Sequence, residues 1–418
     1  MKILLAGHIS FNLIAPYTRR VKQILPMSEI GVLGLNRPGT QIRDEDKIVF
    51  DEVIEKPTWT KKKLYKVLFS YNFIKHCLSF FIKQKNVFNY KIYLNLKQTI
   101  INLANEVLND EFYKNTFQRF DIINFQYIDR TSTKYLQYLN ANNKVVLTFW
   151  GSDLMCTAGV ELYEEQLRLI DRADRLVVHS LQMREILLSK YGRKYLDKVR
   201  LNYFGLEDIK FNKISKAEAD KKGLKEYAQK WQIPENKIKL LIGYSGAKST
   251  RHHRILEELN KKSEEWRDKF HLVIPMTYNN NDKEYFKAIE NLINKTEYSS
   301  THIVEYLTDD EVAYLYNLID VFINIRESDA FNATMVETLY LNKINIVGSW
   351  LPYEMIKRSG INYLEVEKIS DINKALYQVL VGDLNPNIRH NKEKIYKLTS
   401  NNYTVPKWCD IYKELYQL

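Results

Sequence analysis

Short apolar runs, each followed by a segment with helical spacing, recur along this chain from one end to the other. In the first half they cover residues 2–6, 30–35, 121–125, 145–149, 175–178 and 199–203. In the second half they cover 239–243, 271–275, 302–306, 321–325, 344–347 and 363–366. Runs this brief and this apolar fit parallel strands buried on both faces. Their alternation with helices predicts an α/β fold of doubly wound sheets, and two such sets predict two Rossmann-like domains facing a cleft. The charged stretch 207–235, which carries Pro234, separates the two sets. The expected domains are 1–210 and 211–395. Residues 396–418 are expected to form a last helix that packs back on the first domain through Trp408, Cys409, Ile411, Tyr412, Leu415 and Tyr416.

Composition agrees with this division. A chain of 418 residues exceeds one ordinary core, and a hydrophobic share of 45% is globular. Cys77, Cys156 and Cys409 have neither pairing nor metal-ligand spacing, which argues for a reducing compartment and against a zinc site. The first residues form a strand rather than a signal peptide, and no apolar run reaches the about 18 residues of a membrane span. A cytoplasmic protein is expected.

The net charge of +11 is concentrated. Residues 56–105 contain no Asp or Glu but hold ten lysines, Lys61, Lys62, Lys63 and Lys66 among them, and ten aromatics, including Phe80, Phe81 and Phe88. Basic residues mixed with aromatics suit anionic lipid headgroups, so this window is read as a peripheral contact with the inner face of the plasma membrane. The same mix suits nucleic acid, which is not the expected partner, or a solvated helix face whose aromatics pack inward.

The segment 320–348 carries the most chemistry. An apolar strand runs into a polar loop, the loop turns into a helix near residues 332–334, and another apolar strand follows. Backbone N–H groups at a helix N-terminus make a ready anion site, and Asp329 and Glu337 flank this one. A loop that cradles phosphate and offers carboxylates to hydroxyls suits a sugar nucleotide. A plainer reading fits the same residues. Thr334 and Glu337 match a T-x-x-E capping box, in which Glu337 only satisfies a backbone N–H, and Asp329 is then an ordinary loop acid.

Residues 329–337, Asp-Ala-Phe-Asn-Ala-Thr-Met-Val-Glu, resemble the donor-binding motif of the retaining GT-B glycosyltransferases. The order of landmarks is similar to family 4 over nearly the whole chain. It runs through 121–125, the 145–153 strand with its Trp-Gly-Ser-Asp turn, 173–180, 198–205, Gly243, and 302–311. The chain departs from family 4 in two places. The cations expected just after Gly243 are displaced to Lys248 and Arg251, and Trp150 stands where many members have His. The Trp-Gly-Ser-Asp variant resembles bacterial surface-polysaccharide transferases. Segments 242–246 and 274–278 are similar to the fucosaminyl transferases of enterobacterial common antigen synthesis, which belong to the other stereochemical class.

The resemblance implies a metal-independent hexosyltransferase with no cofactor. It would move a sugar from a nucleotide-diphosphate sugar to a glycan acceptor, lipid-linked in bacterial surface polysaccharide synthesis, and family 4 implies retention. Lys248 and Arg251 would hold the diphosphate with the N–H groups of Asn332, Ala333 and Thr334. Glu337 would accept from ribose hydroxyls and Asp329 from sugar hydroxyls. Gly243, Tyr306, Leu307 and Phe331 would line the nucleotide. Asp153 is either a base near the acceptor or a turn-capping residue. The alternatives in function are a sugar-nucleotide epimerase and a non-catalytic GT-B partner or chaperone.

Overall fold

The computed structural model describes residues 1–8, 10–34, 44–55, 59–83, 96–156, 159–279, 281–330 and 332–417. Strands β1 (Lys2–Gly7), β2 (Glu29–Gly34), β3 (Glu52–Val53), β4 (Ile122–Gln126), β5 (Lys144–Thr148), β6 (Arg175–Val178) and β7 (Val199–Leu201) form one parallel sheet. Its order is β3-β2-β1-β4-β5-β6-β7. Strands β8 (Ile238–Ile242), β9 (Phe270–Pro275), β10 (Ser299–Ile303), β11 (Val321–Asn324), β12 (Ile344–Gly348) and β13 (Leu364–Val366) form a second parallel sheet, ordered β10-β9-β8-β11-β12-β13. Residues of β4, β9, β11 and β12 are buried throughout, as helices on both faces of a parallel sheet require. The two doubly wound sheets are those the alternating pattern predicts.

Two strands differ from expectation. β10 lies three residues before the apolar run at 302–306, because it is an edge strand. Its Thr301 accepts or donates within a buried network with His271 (2.9 Å) and the Trp231 carbonyl (2.7 Å), so polar residues serve where apolar ones were sought. β3 has two residues and no hydrophobic period to read.

The sheets meet through the loops at their strand ends. Leu13, at the start of the helix Phe11–Ile24, packs against the second domain's core, and Ala330 packs into the first domain's core. The helix Asn401–Gln417 lies on the first sheet, where Trp408 and Tyr412 are fully buried with Ile3, Leu5 and Tyr17. The Tyr412 hydroxyl is 2.6 Å from that of Tyr17 and accepts from Asn124 at 2.7 Å, so its buried polar end is satisfied.

Part of the acid-free window forms a small helical lobe. The helices Lys61–Val67 and Tyr71–Lys83 pack on Leu96–Phe117 through Val67, Phe73, Leu103 and Val107. Other apolar residues of the lobe face outward, with Phe69 88% and Tyr71 78% exposed. Phe88 lies outside the described residues, as do the side chains of Lys61, Lys62, Phe80 and Phe81.

Candidate functional site

The second sheet reverses its order between β8 and β11, and ligands of open α/β sheets bind outside the strand ends at such a point. The loops after β8 and β11 meet there. The second of them leads into the helix Ala333–Tyr340, capped by Asn332, whose side chain accepts the Met335 N–H at 3.1 Å. That cap decides between the two readings of Glu337. A capping glutamate stands three positions after the cap, as Glu311 does after Thr308, where a capping box does form. Glu337 stands five positions after its cap, two beyond that place, and Thr334 is engaged with the Tyr316 hydroxyl at 2.8 Å.

The Glu337 carboxylate is therefore not a cap. It is buried, and among the described residues no hydrogen bond or ion pair reaches it. It faces a cavity of about 180 Å³ whose walls include Lys213, Tyr278, Tyr306, Leu307 and Thr334. Burial pushes its pKa from 4.5 up to about 7; Lys210 opposes the rise and Asp309 adds to it. The N–H groups of Ala333 and Thr334, in the first helical turn, have no protein acceptor among the described residues. A cavity wall with an unpaired carboxylate and open N–H groups is completed by a ligand bearing hydroxyls and an anion.

Behind this wall Tyr278 packs toward Tyr244, ring centres 6.4 Å apart, and Tyr244 holds Arg326. The Arg326 guanidinium donates to the Tyr244 hydroxyl and, at 3.0 Å, to Ser249, and it lies 4.0 Å from Asp329. It thereby ties the β8 loop to the β11 loop. Burial works against its charge, but Tyr244 and Asp329 outweigh burial and hold its pKa above the usual value. Its Nε is buried without a partner among the described residues. Asp329 accepts the Ala330 N–H at 2.9 Å and also meets the Tyr353 hydroxyl. Arg326 was not among the sequence candidates. The available signal was an arginine directly after the run 321–325, three positions before Asp329.

The other candidates divide. Tyr306 and Leu307 line the cavity with Ala333, Thr334 and Glu337. Lys248 and Arg251 lie on the β8 loop but not on the cavity wall: Lys248 is exposed, while Arg251 packs over Trp350 and sits 3.7 Å from Glu327. Gly243, at φ +66°, is needed by the loop itself, since a Cβ there would come within 2.3 Å of Thr250 and 2.7 Å of His252. Phe331 lies outside the described residues.

Across the cleft, Asp153 accepts backbone N–H groups from Ile128 at 2.8 Å, Trp150 at 2.9 Å and Gly151 at 2.8 Å. Burial raises its pKa to about 6 against the pull of those bonds. Both carboxylate oxygens accept from the turn, which is the arrangement of a turn-capping residue. The turn it holds places Gly151 at φ +123°, where a Cβ would meet that of Ala330 at 2.5 Å. The β5 loop is thus pressed directly onto the loop that carries Asp329.

Comparison with known proteins fits this geometry. Solved structures match over nearly the full length. A glycosyltransferase from Rickettsia africae ESF-5 has a TM-score of 0.69 at 17% identity, covering 99% of this chain and 98% of that one. Anabaena Alr3699/HepE in complex with UDP and glucose has a TM-score of 0.67 at 11% identity, covering 99% and 100%. Sucrose-phosphate synthase from Thermosynechococcus elongatus has a TM-score of 0.65 at 12% identity, covering 100% and 99%. The fold is GT-B. The family described as 4-alpha-L-fucosyltransferase, glycosyl transferase group 56, matches residues 213–316 of this GT-B chain, including Tyr278, Tyr306 and Leu307 on the cavity wall. No curated protein sequence matches. The family match and the neighbours support a glycosyltransferase.

Proposed function

We propose that the protein is a metal-independent glycosyltransferase of the hexosyl type whose donor is a nucleoside-diphosphate sugar. The observation that carries this reading is the Glu337 carboxylate, buried, unpaired and beside the open N–H groups of Ala333 and Thr334. In this reading Glu337 accepts from the ribose hydroxyls, the helix N-terminus holds phosphate, and Tyr306 and Leu307 meet the base. Arg326 supplies the fixed positive charge that a leaving diphosphate needs, with Lys248 and Arg251 nearby on the β8 loop. Asp329, beside Arg326, takes the sugar. The HepE structures, which contain UDP, glucose and UDP-glucose, lend support by likeness of fold. A thermal-shift screen with UDP, GDP, dTDP and CMP tests the reading. One nucleotide at a hundredfold excess over its Kd should stabilise the protein by about 2.7 kcal/mol. Turnover that survives EDTA is expected, and no shift with any nucleotide refutes the donor site.

The acceptor proposed is a lipid-linked glycan of bacterial surface polysaccharide synthesis, met at the cytoplasmic membrane face. Support comes from the helical lobe, where Tyr65, Phe69, Tyr71, Ile74 and Leu78 are exposed beside Lys63, Lys66 and Lys75. No helix among the described residues is long and apolar enough to cross a membrane. Lys63, Lys66 and Lys75 changed together to Gln should release the protein from phosphatidylserine vesicles, at about 1 kcal/mol per lysine. Wild-type protein that ignores such vesicles at low salt defeats this part. Retention is what the family 4 resemblance implies; the donor half, with its phosphate cradle and Asp329, serves either stereochemical course.

A further inference from the structure

Strands buried on both faces are normally apolar, yet the centre of the first sheet carries a row of amides and hydroxyls. Asn124 and Gln126 on β4, Thr148 on β5 and Tyr412 on the last helix are all fully buried. They share one face, since Asn124 and Gln126 stand two positions apart and Gln126 pairs with Thr148. The row is hydrogen-bonded from end to end and reaches the cleft. Trp150 Nε1 donates to Gln126 Oε1 at 3.0 Å, and Gln126 Nε2 donates to Asn124 Oδ1 at 2.9 Å. Asn124 Nδ2 donates to the Tyr412 hydroxyl at 2.7 Å, which meets the Tyr17 hydroxyl at 2.6 Å. Thr148 joins from the side, donating to Asn124 Oδ1 at 2.8 Å.

An indole N–H can only donate, so it orients the Gln126 amide, and that amide orients Asn124 in turn. A satisfied buried network of this kind fixes a single arrangement. Core stability alone does not call for it, because apolar groups of the same shape can replace paired polar ones at little cost.

The group held at the cleft end is Trp150. Its N–H is held by Gln126 and one ring face by Phe204, stacked at 4.9 Å with 5° between planes. Its backbone N–H and that of Gly151 donate to Asp153 Oδ1 at 2.9 Å and 2.8 Å. The turn so held presses Gly151 against Ala330 of the donor loop. Ala330 packs into the first domain's core, and its N–H is bound by Asp329 at 2.9 Å. A line of contacts thus runs from the last helix, through the first sheet, to the acid beside Arg326.

We infer that Tyr412, Asn124 and Gln126 are positioning residues for sugar transfer: by fixing Trp150 and its turn they set the loop that carries Asp329. The role given to Asp329 rests on the donor site proposed above; the hydrogen-bonded row and the contact with Ala330 do not. The last helix is then part of the working site as well as a cover for the first sheet. A substitution deep in the first domain loosens a loop of the second, provided that it breaks the line from Tyr412 to Trp150.

Hydrogen exchange of the full-length protein without ligand, read by mass spectrometry, tests this. The reporters are Gly151, whose N–H is bound by Asp153, and Glu327, whose N–H donates to the Ser249 carbonyl at 3.2 Å. Gln126→Met keeps the length of the side chain and removes both of its bonds. It should speed exchange over 150–153 and over 326–330 by about fivefold, the effect of losing one hydrogen bond's worth of local stability. Tyr412→Phe should do the same. Thr148→Val removes a bond of the same network but lies off the line, and should leave 326–330 within about twofold of wild type. In nitrogen-15 spectra one of the six indole N–H signals, assigned by its loss in Trp150→Phe, should move upfield in Gln126→Met. Faster exchange confined to the first domain overturns the inference, as does a rise at 326–330 in Thr148→Val equal to that in Gln126→Met. Where Gln126→Met does not fold, Trp150→Phe breaks the same link from the cleft side and decides by the same reporters. The thermal shift with UDP, GDP, dTDP and CMP reports on the donor site separately. It should persist in Gln126→Met, and its loss in that variant alone means disorder throughout the second domain and overturns the inference. No shift even in wild type removes the role of Asp329, while the exchange result still decides whether the row sets the loop.

Discussion

Replacing Glu337 with Gln should move stability and affinity in opposite directions. The carboxylate is buried without a hydrogen-bond partner among the described residues, and burial lifts its pKa from 4.5 to about 7. A folded pKa above the unfolded value means that the native state binds the extra proton between those limits. Stability from this group is therefore full below pH 4.5 and falls as pH rises to about 7. The rise corresponds to roughly 3 kcal/mol lost by pH 8, taking about 1.4 kcal/mol per pH unit. Glu337→Gln keeps the shape and removes the charge. The empty variant should match wild type near pH 4 and melt higher at pH 8, by an amount worth up to roughly 3 kcal/mol. Nucleotide affinity at pH 8 should fall by about 1.5–3 kcal/mol, the worth of hydrogen bonds to a charged acceptor. Wild-type affinity should itself weaken as pH drops below 7, while the variant's stays flat. Scanning calorimetry at the two pH values and isothermal titration at pH 6 and 8 give all four quantities. A variant less stable than wild type at pH 8, or with unchanged affinity, refutes the reasoning, because the carboxylate would then be serving the fold.

Arg326→Ala should weaken nucleoside-diphosphate binding tenfold to a hundredfold, about 1.5–3 kcal/mol, and leave the bare nucleoside unaffected; equal losses in titration with both would place Arg326 away from the phosphates. Lys248→Ala and Arg251→Ala should lose less than Arg326→Ala, since neither lines the cavity. Asp153→Asn retains the oxygen that accepts from Trp150 and Gly151 but turns a donor onto the Ile128 N–H. It should lower stability by about 1–3 kcal/mol in denaturant titration with nucleotide affinity intact, whereas lost turnover at full stability would return Asp153 to a chemical role.

What the sequence disclosed follows from how each feature is encoded. Central parallel strands are largely apolar on both faces, so β5, β8 and β11 stand out by their Ile, Val, Leu and Phe. The edge strand β10 is Ser-Ser-Thr-His-Ile and was displaced toward the apolar residues that follow it. The donor loop was legible because its parts are contiguous: Asp329, the helix start and Glu337 lie within a few turns of chain. Even there the choice between cap and ligand group needed coordinates, since only they show Asn332 filling the cap. Arg326 was passed over because its partners Tyr244 and Ser249 belong to another loop. Asn124 and Tyr412 are 288 residues apart and become neighbours only when the last helix docks on the first sheet.

The account's central claim is that a nucleoside diphosphate completes the cavity at Glu337. A crystal structure of the protein with the nucleotide that gives the largest thermal shift tests it most directly. Ribose hydroxyls within hydrogen-bond reach of Glu337, the base against Tyr306 and Leu307, and phosphate oxygens on the N–H groups of Ala333 and Thr334 near Arg326 are the predicted result. A nucleotide bound elsewhere, with the Glu337 carboxylate still unpaired, would contradict it.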